Sequence, residues 1–526
     1  MKQYSEYRTK YTWFDIILAC LLAVMFGFFS FCTLSSGHTF ISDDYAAYLL
    51  EAFSIANGDF DEQVKRNYIL HPSPISDEAN QEQELVYVWG YPLMLAPIYK
   101  VFGFDRTDYH SLVYYALPTA VSFAGLGAFM FLFMRRRFGW SAALLLTVLC
   151  CLNIHVFWDT GSIQTDIPFF MLSVLLYLLV EIYLSSNHRV FWGVLLGMAM
   201  WLTHETRLNG MTVCAAVAAA HLFFFVKERQ EKDQKPSAWV QLLPYLVFGA
   251  LVLITEYLWL RPATSNMSDF GDSTQKSFVT NITYYIRMMH EWLDTFWFYG
   301  DLRRYNGPYM MYITMALCLL GMIVHGIRHN THLTVLLLGT LAVLVSLPYV
   351  QGHRYLFNIM PLIILFAAYG LQFLFKLLTG KFKEPFRKGI AGVLWIVSVL
   401  GCIGPIRYIH AYSRSMYQIR GNPKAITDTY SDESIAMYHY IQENTAEDCT
   451  IAFIKPRSLY LNTLRMGFNP EENGHVLEDA DYFLIFNNGG QGDLLEEAPQ
   501  FEKIYGNVLL SLYQNTQRTM SDSLTD

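Results

Sequence analysis

Residues 13–45 read WFDIILACLLAVMFGFFSFCTLSSGHTFISDDY, and this stretch decides the fold class. Its first part is an apolar run with a single charge, at Asp15, and it exceeds the roughly 20 apolar residues that cross a bilayer core. Its last part holds two adjacent carboxylates, Asp43 and Asp44. The pattern predicts a retained membrane helix followed by a charged motif at the membrane boundary.

The composition of the whole chain agrees with a membrane protein. Of 526 residues, 53% are hydrophobic and only 16% are charged, whereas soluble proteins carry about 25% charged residues. About eleven apolar segments qualify as transmembrane helices, beginning near Trp13, Leu112, Ala142, Ile167, Val190, Gly210, Trp239, Tyr309, Leu333, Leu356 and Gly389. The net charge of −8 argues against nucleic acid as a partner.

Basic residues near helix ends predict the orientation, because cytoplasmic loops hold an excess of Lys and Arg. Basic residues within 2–10 precede the first helix and place the N-terminus inside. With alternating helices, the basic clusters within 135–137, 227–235 and 376–388 fall on the same side. Eleven helices then put the C-terminus outside.

This topology predicts two domains and a mainly α, polytopic fold. Residues 1–410 form the transmembrane domain, in which a large first outer loop, 35–109, carries the acidic motif. Residues 411–526 have ordinary soluble composition and are expected to form a small α/β domain on the outer face.

Asp43 and Asp44 form the most informative motif. Adjacent carboxylates at a membrane boundary repel each other and cost desolvation, so they need solvent, a cation or a function. One function is general base catalysis, in which a carboxylate takes a proton from an acceptor hydroxyl or amine. The alternative is that Asp44 caps the helix that follows. Asp166, at the outer mouth of the fourth helix, has the same two interpretations.

Two basic motifs are predicted at the same face. They are residues 204–207, HETR, and residues 352–355, GHRY. Charged side chains at such positions are rare unless they are paired or functional, and a guanidinium fork matches phosphate oxygens. Contact with lipid headgroups is the alternative for either motif alone.

Several other classes of site are absent from the sequence. We find no Gly-rich phosphate loop, no Cys-x-x-Cys pair, no His-Glu-x-x-His helix and no Gly-x-Ser-x-Gly elbow. The predicted inside loops are too short for the soluble domain of a nucleotide-sugar enzyme. The donor is therefore expected to arrive within the membrane.

Taken together, these motifs resemble the C-type glycosyltransferase (GT-C) superfamily. Residues 42–45, SDDY, are similar to its acidic motif, and 89–93, WGYPL, to its proline-containing segment before the second helix. Residues 165–166 and 352–355 resemble motifs that open later helices, and 455–461, KPRSLYL, resembles a segment in the outer domains of bacterial members. The branch that it resembles is glycosyltransferase family 39, the protein O-mannosyltransferase and aminoarabinose-transferase group.

The resemblance implies an inverting glycosyltransferase whose donor is a polyprenyl-phosphate sugar. Residues 1–410 would be its transmembrane catalytic domain, and its active site would lie on the outer face. Asp43 would be the best candidate for the catalytic base, with its neighbour Asp44 as the alternative in a register shifted by one residue. Asp166 would orient the acceptor or the base. The donor phosphate would be held by His204, Arg207, His353, Arg354 and Tyr355.

The resemblance leaves the acceptor open among a lipid, a cell-surface glycan and a protein, with membrane lipids as further contacts. No cofactor is required, but Asp43, Asp44 and Asp166 could hold a divalent metal through oxygens. The expected location is the plasma membrane of a bacterium, in the cell envelope. The alternative function is a transporter or flippase of lipid-linked sugars, although the inverted repeats and broken helices of transporters are not evident.

Overall fold

The computed structural model describes residues 11–34, 43–60, 87–106, 111–207, 209–231, 237–260, 278–294, 309–327, 331–346, 352–419, 431–470, 477, 480–487, 494–495 and 498–518. The basic residues of 2–10 and much of the predicted loop 35–109, including Ser42, lie outside these described residues. Within them the chain is mainly helical, with one small sheet near its C-terminus.

Up to residue 419 the regular secondary structure of the described chain is helical. They are α1 (Trp13–Thr33), α2 (Asp44–Asn57), α3 (Gly90–Phe102), α4 (Leu112–Tyr115), α5 (Leu117–Arg135), α6 (Trp140–Cys151), α7 (Ile154–Trp158), α8 (Asp166–Ser185), α9 (Arg189–Thr206), α10 (Gly210–Glu231), α11 (Ala238–Val252), α12 (Phe278–Asp294), α13 (Tyr309–Gly321), α14 (Thr331–Ser346), α15 (Met360–Thr379), α16 (Glu384–Gly401) and α17 (Ile403–Ile419). A π-helix continues α11 over Leu253–Trp259 and another continues α13 over Met322–Gly326. Short 3-10 helices lie at Asp159–Gly161 and His353–Leu356.

Seven helices of the described chain are long and apolar enough to cross a membrane, which makes the chain a polytopic membrane protein. The count becomes eight if the bent pair α6 and Ile154–Gly161 is one span. Gly210–Leu222 and Thr331–Ser346 are shorter apolar helices. A helix begins within five residues of every predicted start, and near Leu356 the 3-10 turn delays the helix to Met360. The total of eleven spans and the orientation stay predictions.

Burial separates central helices from peripheral ones. Most of α8 is buried, whereas most of α16 is exposed, as expected for a lipid-facing helix. Two glycines allow α13 and α15 to approach closely. A Cβ on Gly321 would lie 1.9 Å from Phe366 O, and one on Gly370 would lie 2.0 Å from Leu317 O. Small residues at helix contacts are typical of membrane bundles.

The C-terminal unit, residues 431–518, is a small α/β structure. It contains α18 (Asp432–Asn444), β1 (Thr450–Ala452), α19 (Pro456–Thr463), β2 (Met466–Phe468), β3 (Tyr482–Phe486), β4 (Phe501–Gly506) and β5 (Leu510–Asn515). The strand order is β2-β1-β3-β5-β4, with β1 parallel to β2 and β3 and with β5 antiparallel to β3 and β4. The predicted boundary between residues 410 and 411 lies inside α17. The division into two domains stays a prediction.

The C-terminal unit contacts the helical part through α19. Tyr460 and Leu461 of α19 share a hydrophobic cluster with Tyr45 and Leu49 of α2. Arg106 Nε also donates a hydrogen bond to Leu461 O at 3.0 Å. These contacts hold the N-terminus of α19 against the N-terminus of α2, where the acidic motif lies.

Candidate active site

The side chain of Asp43 makes hydrogen bonds to the start of α19 and not to α2, the helix that Asp43 precedes. It is the N-cap residue of α2, and its side chain makes no cap hydrogen bond there. Its Oδ1 instead accepts from Ser458 N at 2.9 Å and Ser458 Oγ at 2.5 Å, and its Oδ2 accepts from Arg457 N at 2.9 Å. The first N–H groups of a helix lack partners within the helix, so Asp43 serves as the cap of α19.

Burial raises the pKa of Asp43 above its ordinary value, while Arg457 and the hydrogen bonds from Ser458 oppose this shift. Both carboxylate oxygens are engaged by the C-terminal unit. In this arrangement Asp43 links α2 to α19.

Asp44 has a more open environment. It is the first residue of α2, and 34% of its side chain is exposed. Its Oδ1 accepts from Tyr87 OH at 2.9 Å and from Arg457 Nη1 at 3.3 Å. Within the described residues no donor reaches Oδ2, and the carboxylate does not cap α2. One oxygen is therefore oriented and the other is available to a substrate, as a general base requires.

Arg457 and Tyr87 complete the surroundings of Asp44. Arg457 Nη1 donates to Tyr87 OH at 2.8 Å, and the guanidinium lies 5.2 Å from the centre of the Tyr87 ring. Burial alone would lower the pKa of Arg457, but Tyr87, Asp44 and Asp43 raise it above its ordinary value, so it remains a cation. Burial chiefly raises the pKa of Tyr87, which keeps its hydroxyl neutral.

Asp166, Arg207, Arg354 and Tyr355, which we call the open cluster, come together from three separate elements. Asp166 begins α8, Arg207 directly follows α9, and Arg354 and Tyr355 lie in the 3-10 helix. Buried Asp166 forms an ion pair with Arg207, and its Oδ2 lies 3.9 Å from Arg354 Nη1. The Arg207 guanidinium lies 4.5 Å from the centre of the Tyr355 ring. Four of the predicted site residues are thus neighbours.

Three residues of the open cluster, Arg207, Arg354 and Tyr355, line a pocket. Its walls include Phe169, Asn209 and Asn358 beside the two arginines and Tyr355. The side chain of Arg354 is 34% exposed and that of Arg207 is 14% exposed. Asp159 lies within electrostatic reach of both arginines. Guanidinium groups that remain accessible in a pocket can bind a phosphate.

Tyr48 lies between the acidic motif and the open cluster. Its ring makes edge contacts with Tyr87 at 5.2 Å and Tyr91 at 5.4 Å, and its hydroxyl interacts with Thr165, the residue before Asp166. Burial raises the pKa of Tyr48 well above its ordinary value, Asp44 adds to this shift, and Arg207 opposes it. Tyr48 therefore packs against Tyr87, which holds Asp44, and interacts with Thr165, which precedes Asp166 of the open cluster.

The two predicted histidines contact other carboxylates. His204 Nε2 lies 3.2 Å from Glu256 Oε1. His353 Nε2 lies 3.0 Å from Glu291 Oε2, and its ring stacks on His155 with 3.7 Å between the ring centres. The phosphate-binding function predicted for these histidines stays a prediction.

The candidate metal ligands that lie together differ from those predicted. Among the described residues, the group of three with ligand atoms within 4.8 Å is His204, Glu205 and Glu256. In the described part of the chain Asp43, Asp44 and Asp166 do not form such a group. Their carboxylates are engaged by Ser458, Arg457 and Arg207 respectively.

Comparisons with known proteins show similarity in structure but none in sequence. No family model matches the chain, and no curated protein matches it. The chain is similar to ArnT from Cupriavidus metallidurans bound to undecaprenyl phosphate, with a TM-score of 0.56, 11% identity, and coverage of 95% of this chain and 98% of ArnT.

Two further structures are archaeal. The oligosaccharyltransferase of Archaeoglobus fulgidus in complex with Zn and sulfate has a TM-score of 0.59 at 14% identity, covering 95% of this chain and 73% of the other. AglB of the same organism, with an inhibitory peptide and a dolichol-phosphate, has a TM-score of 0.54 at 10% identity, covering 90% and 70%. At such identities the likeness shows the fold alone: the chain folds like ArnT and like the archaeal oligosaccharyltransferase, as the resemblance of the sequence implies.

Proposed function

We propose that the chain is a membrane glycosyltransferase that moves a sugar from a polyprenyl-phosphate-linked donor to an acceptor on the outer face of a bacterial plasma membrane. The observation that carries the proposal is that an oriented carboxylate, Asp44, is held by Tyr87, and that the Tyr87 ring packs against Tyr48, whose hydroxyl interacts with the residue before Asp166, the partner of Arg207. Two proteins of similar fold bind undecaprenyl phosphate and a dolichol-phosphate, which are carriers of this class.

Asp44 is the proposed base. Its available oxygen takes the proton of an acceptor hydroxyl or amine as that group attacks the anomeric carbon of the donor sugar. Arg457 and Tyr87 hold the other oxygen and so orient the carboxylate. The acceptor, whether lipid, glycan or protein, enters from the aqueous side.

Arg207 and Arg354 are the proposed ligands of the donor phosphate. As the new bond forms at the anomeric carbon, the bond to the phosphate oxygen breaks, and its electron pair leaves with the polyprenyl phosphate. Attack from the side opposite the phosphate inverts the configuration. The arginines stabilise the negative charge of the leaving group, an electrostatic effect worth about 3–4 kcal/mol for one well-placed donor. Asp166 positions Arg207 through their ion pair.

Sugar transfer by the purified full-length protein tests this assignment. The protein is supplied with a panel of polyprenyl-phosphate sugars, and transfer and donor hydrolysis are compared for wild type, Asp44→Asn and Asp43→Asn. We expect Asp44→Asn to lower turnover by about 10²–10⁴-fold, the usual contribution of a general base. Asp43→Asn is the matched control, because Asn also caps helices well, and it should retain most of the turnover.

Folding of both variants is checked by thermal unfolding in the same detergent. Wild-type turnover in Asp44→Asn would remove Asp44 as the base, and a collapse confined to Asp43→Asn would assign that role to its neighbour. Movement of intact donor across a vesicle membrane without any sugar transfer would favour the transporter.

A further inference from the structure

A second group of ionisable side chains lies outside the proposed catalytic site. His204 and Glu205 belong to the last turn of α9, and Glu256 belongs to the π-helix that continues α11. All three residues are buried, and their ligand atoms lie within 4.8 Å of one another. His204 Nε2 and Glu256 Oε1 are 3.2 Å apart.

Glu205 lacks the hydrogen bonds that a buried carboxylate needs. The residue has no exposed surface, and within the described part of the chain neither carboxylate oxygen has a hydrogen-bond partner. The indole of Trp201 and the backbone of Trp89 lie close to it, but Trp201 Nε1 donates to Thr255 Oγ1 at 3.0 Å. A buried carboxylate without partners is strongly unfavourable. A bound cation would balance the charge of such a carboxylate.

The helices that carry the group are held close together. A Cβ on Gly197 of α9 would lie 2.4 Å from Pro244 O of α11, so this pair can approach only because residue 197 is glycine. Glu256 lies within the π-helix, and single π-turns occur frequently at functional sites. The backbone thus fixes the three ligands in one place.

We propose that His204, Glu205 and Glu256 bind one divalent transition-metal ion, with zinc as the best match. An imidazole nitrogen with two carboxylates is a donor set that zinc accepts, whereas calcium and magnesium favour oxygen ligands alone. Bonds of about 2.0–2.2 Å place two ligands of one ion up to roughly 4.2 Å apart, so small side-chain rotations close the observed group. The ion joins the end of α9 to the end of the span that α11 begins.

Metal binding by the untagged full-length protein tests the site. The protein is stripped with a chelator and reloaded with zinc, the bound metal is counted by elemental analysis, and the affinity is measured by competition with a chromophoric chelator. We expect about one zinc per wild-type chain. Glu205→Gln should weaken binding at least about tenfold, since even indirect ligand partners contribute that much.

Glu291→Gln is the matched control. Glu291 forms the other His–Glu pair of this end of the bundle, with His353 at 3.0 Å, but it lies outside the candidate group. This variant should bind zinc like wild type. A zinc content that is equal in wild type and Glu205→Gln would overturn the proposal.

Thermal stability provides a second measurement, independent of the number of zinc ions counted per chain. Zinc should raise the unfolding temperature of wild type and Glu291→Gln but not of Glu205→Gln. Without metal, Glu205→Gln should be at least as stable as wild type, because a neutral amide replaces a buried carboxylate. Glu256→Gln is the second variant if the first does not fold. A stripped wild type that gains no stability from zinc would also refute the site.

Discussion

Two groups of charged side chains lie at opposite ends of α8, and they differ in how much of their surface is exposed to solvent. One is the open cluster around Asp166. The other, which we call the sealed network, consists of Asp15, Arg135, Arg136, Arg137, Glu181 and His332. Glu181 follows Asp166 by 15 residues, so the two groups are separated by about 22 Å along the helix.

In the sealed network the charged side chains form ion pairs with one another. Arg135 Nε lies 2.6 Å from Asp15 Oδ1, and Arg136 Nε lies 3.2 Å from Glu181 Oε2. Glu181 also pairs with Arg137 and with His332, and the side chains of these pairs are at most 6% exposed. These groups are almost inaccessible to solvent, so we expect their function to be structural.

The open cluster contains the same types of residue, yet Arg354 retains an exposure of 34% and faces a pocket. The comparison teaches that residue type and burial in a bundle do not separate a structural ion pair from a binding site. Access separates them, because a cation that is reachable from solvent can exchange its partner for a ligand. Variants at the two ends should therefore fail in different ways.

The largest effect is expected in the sealed network. Glu181→Gln leaves Arg136 and Arg137 without their carboxylate, and breaking a buried ion pair costs about 3–5 kcal/mol. We expect a large loss of unfolding free energy in detergent, with normal sugar transfer per folded molecule. Arg287→Gln is the control, since its pair with Glu291 is exposed, and it should change stability by about 1 kcal/mol or less. Equal stability of Glu181→Gln and wild type would show that the sealed network is not structural.

The next effect belongs to the open cluster. Arg207→Gln should lower transfer about 10²–10³-fold, the usual loss for one electrostatic donor, with a smaller loss of stability. Some destabilisation is expected, because the buried carboxylate of Asp166 loses its closer partner and keeps only Arg354, at 3.9 Å. Adding Asp166→Asn should restore stability but not turnover. Recovery of both stability and turnover in the double variant would mean that Arg207 is a structural residue. The groups at the two ends of α8 would then not differ in function.

The sequence predicted the helices well because their cause is local. A run of apolar residues must become a helix in a membrane, since every backbone group needs a partner there. The helices α1, α8 and α15 therefore begin close to the predicted residues. The 3-10 turn before α15 was not predicted, because it depends on the packing of residues 353–356 and not on hydropathy.

The site was predictable only in part. Asp44, Asp166, Arg207 and Arg354 could be found because a charge beside a membrane helix is conspicuous in a sequence. Tyr87 and the function of Arg457 were missed. Arg457 reaches Asp44 from 413 residues away, and no local pattern encodes a contact over that separation. The motif at 455–461 is recognisable in the sequence by its resemblance, but its contact with Asp43 and Asp44 is visible only in the fold.

The smallest effect concerns the link between the two parts of the chain. Burial raises the pKa of Asp43 above its ordinary value. A carboxyl whose pKa is higher in the docked state than in the free state holds its proton more tightly when docked. The contribution to docking is therefore present below the ordinary pKa of Asp and is lost as the pH rises through the raised value.

Hydrogen exchange of the α19 amides measures this docking across pH. We expect protection of the Arg457 and Ser458 amides to fall with rising pH in wild type, relative to Asp43→Asn at the same pH. The variant keeps one capping acceptor, its amide oxygen, since Asn caps about as well as Asp, but it cannot titrate. Protection that instead increases with pH would mean that the three hydrogen bonds from Arg457 and Ser458 favour the carboxylate more than burial disfavours it. Asp43 would then act as a charged carboxylate engaged within the protein, like those of the sealed network, although it is adjacent to the proposed catalytic base.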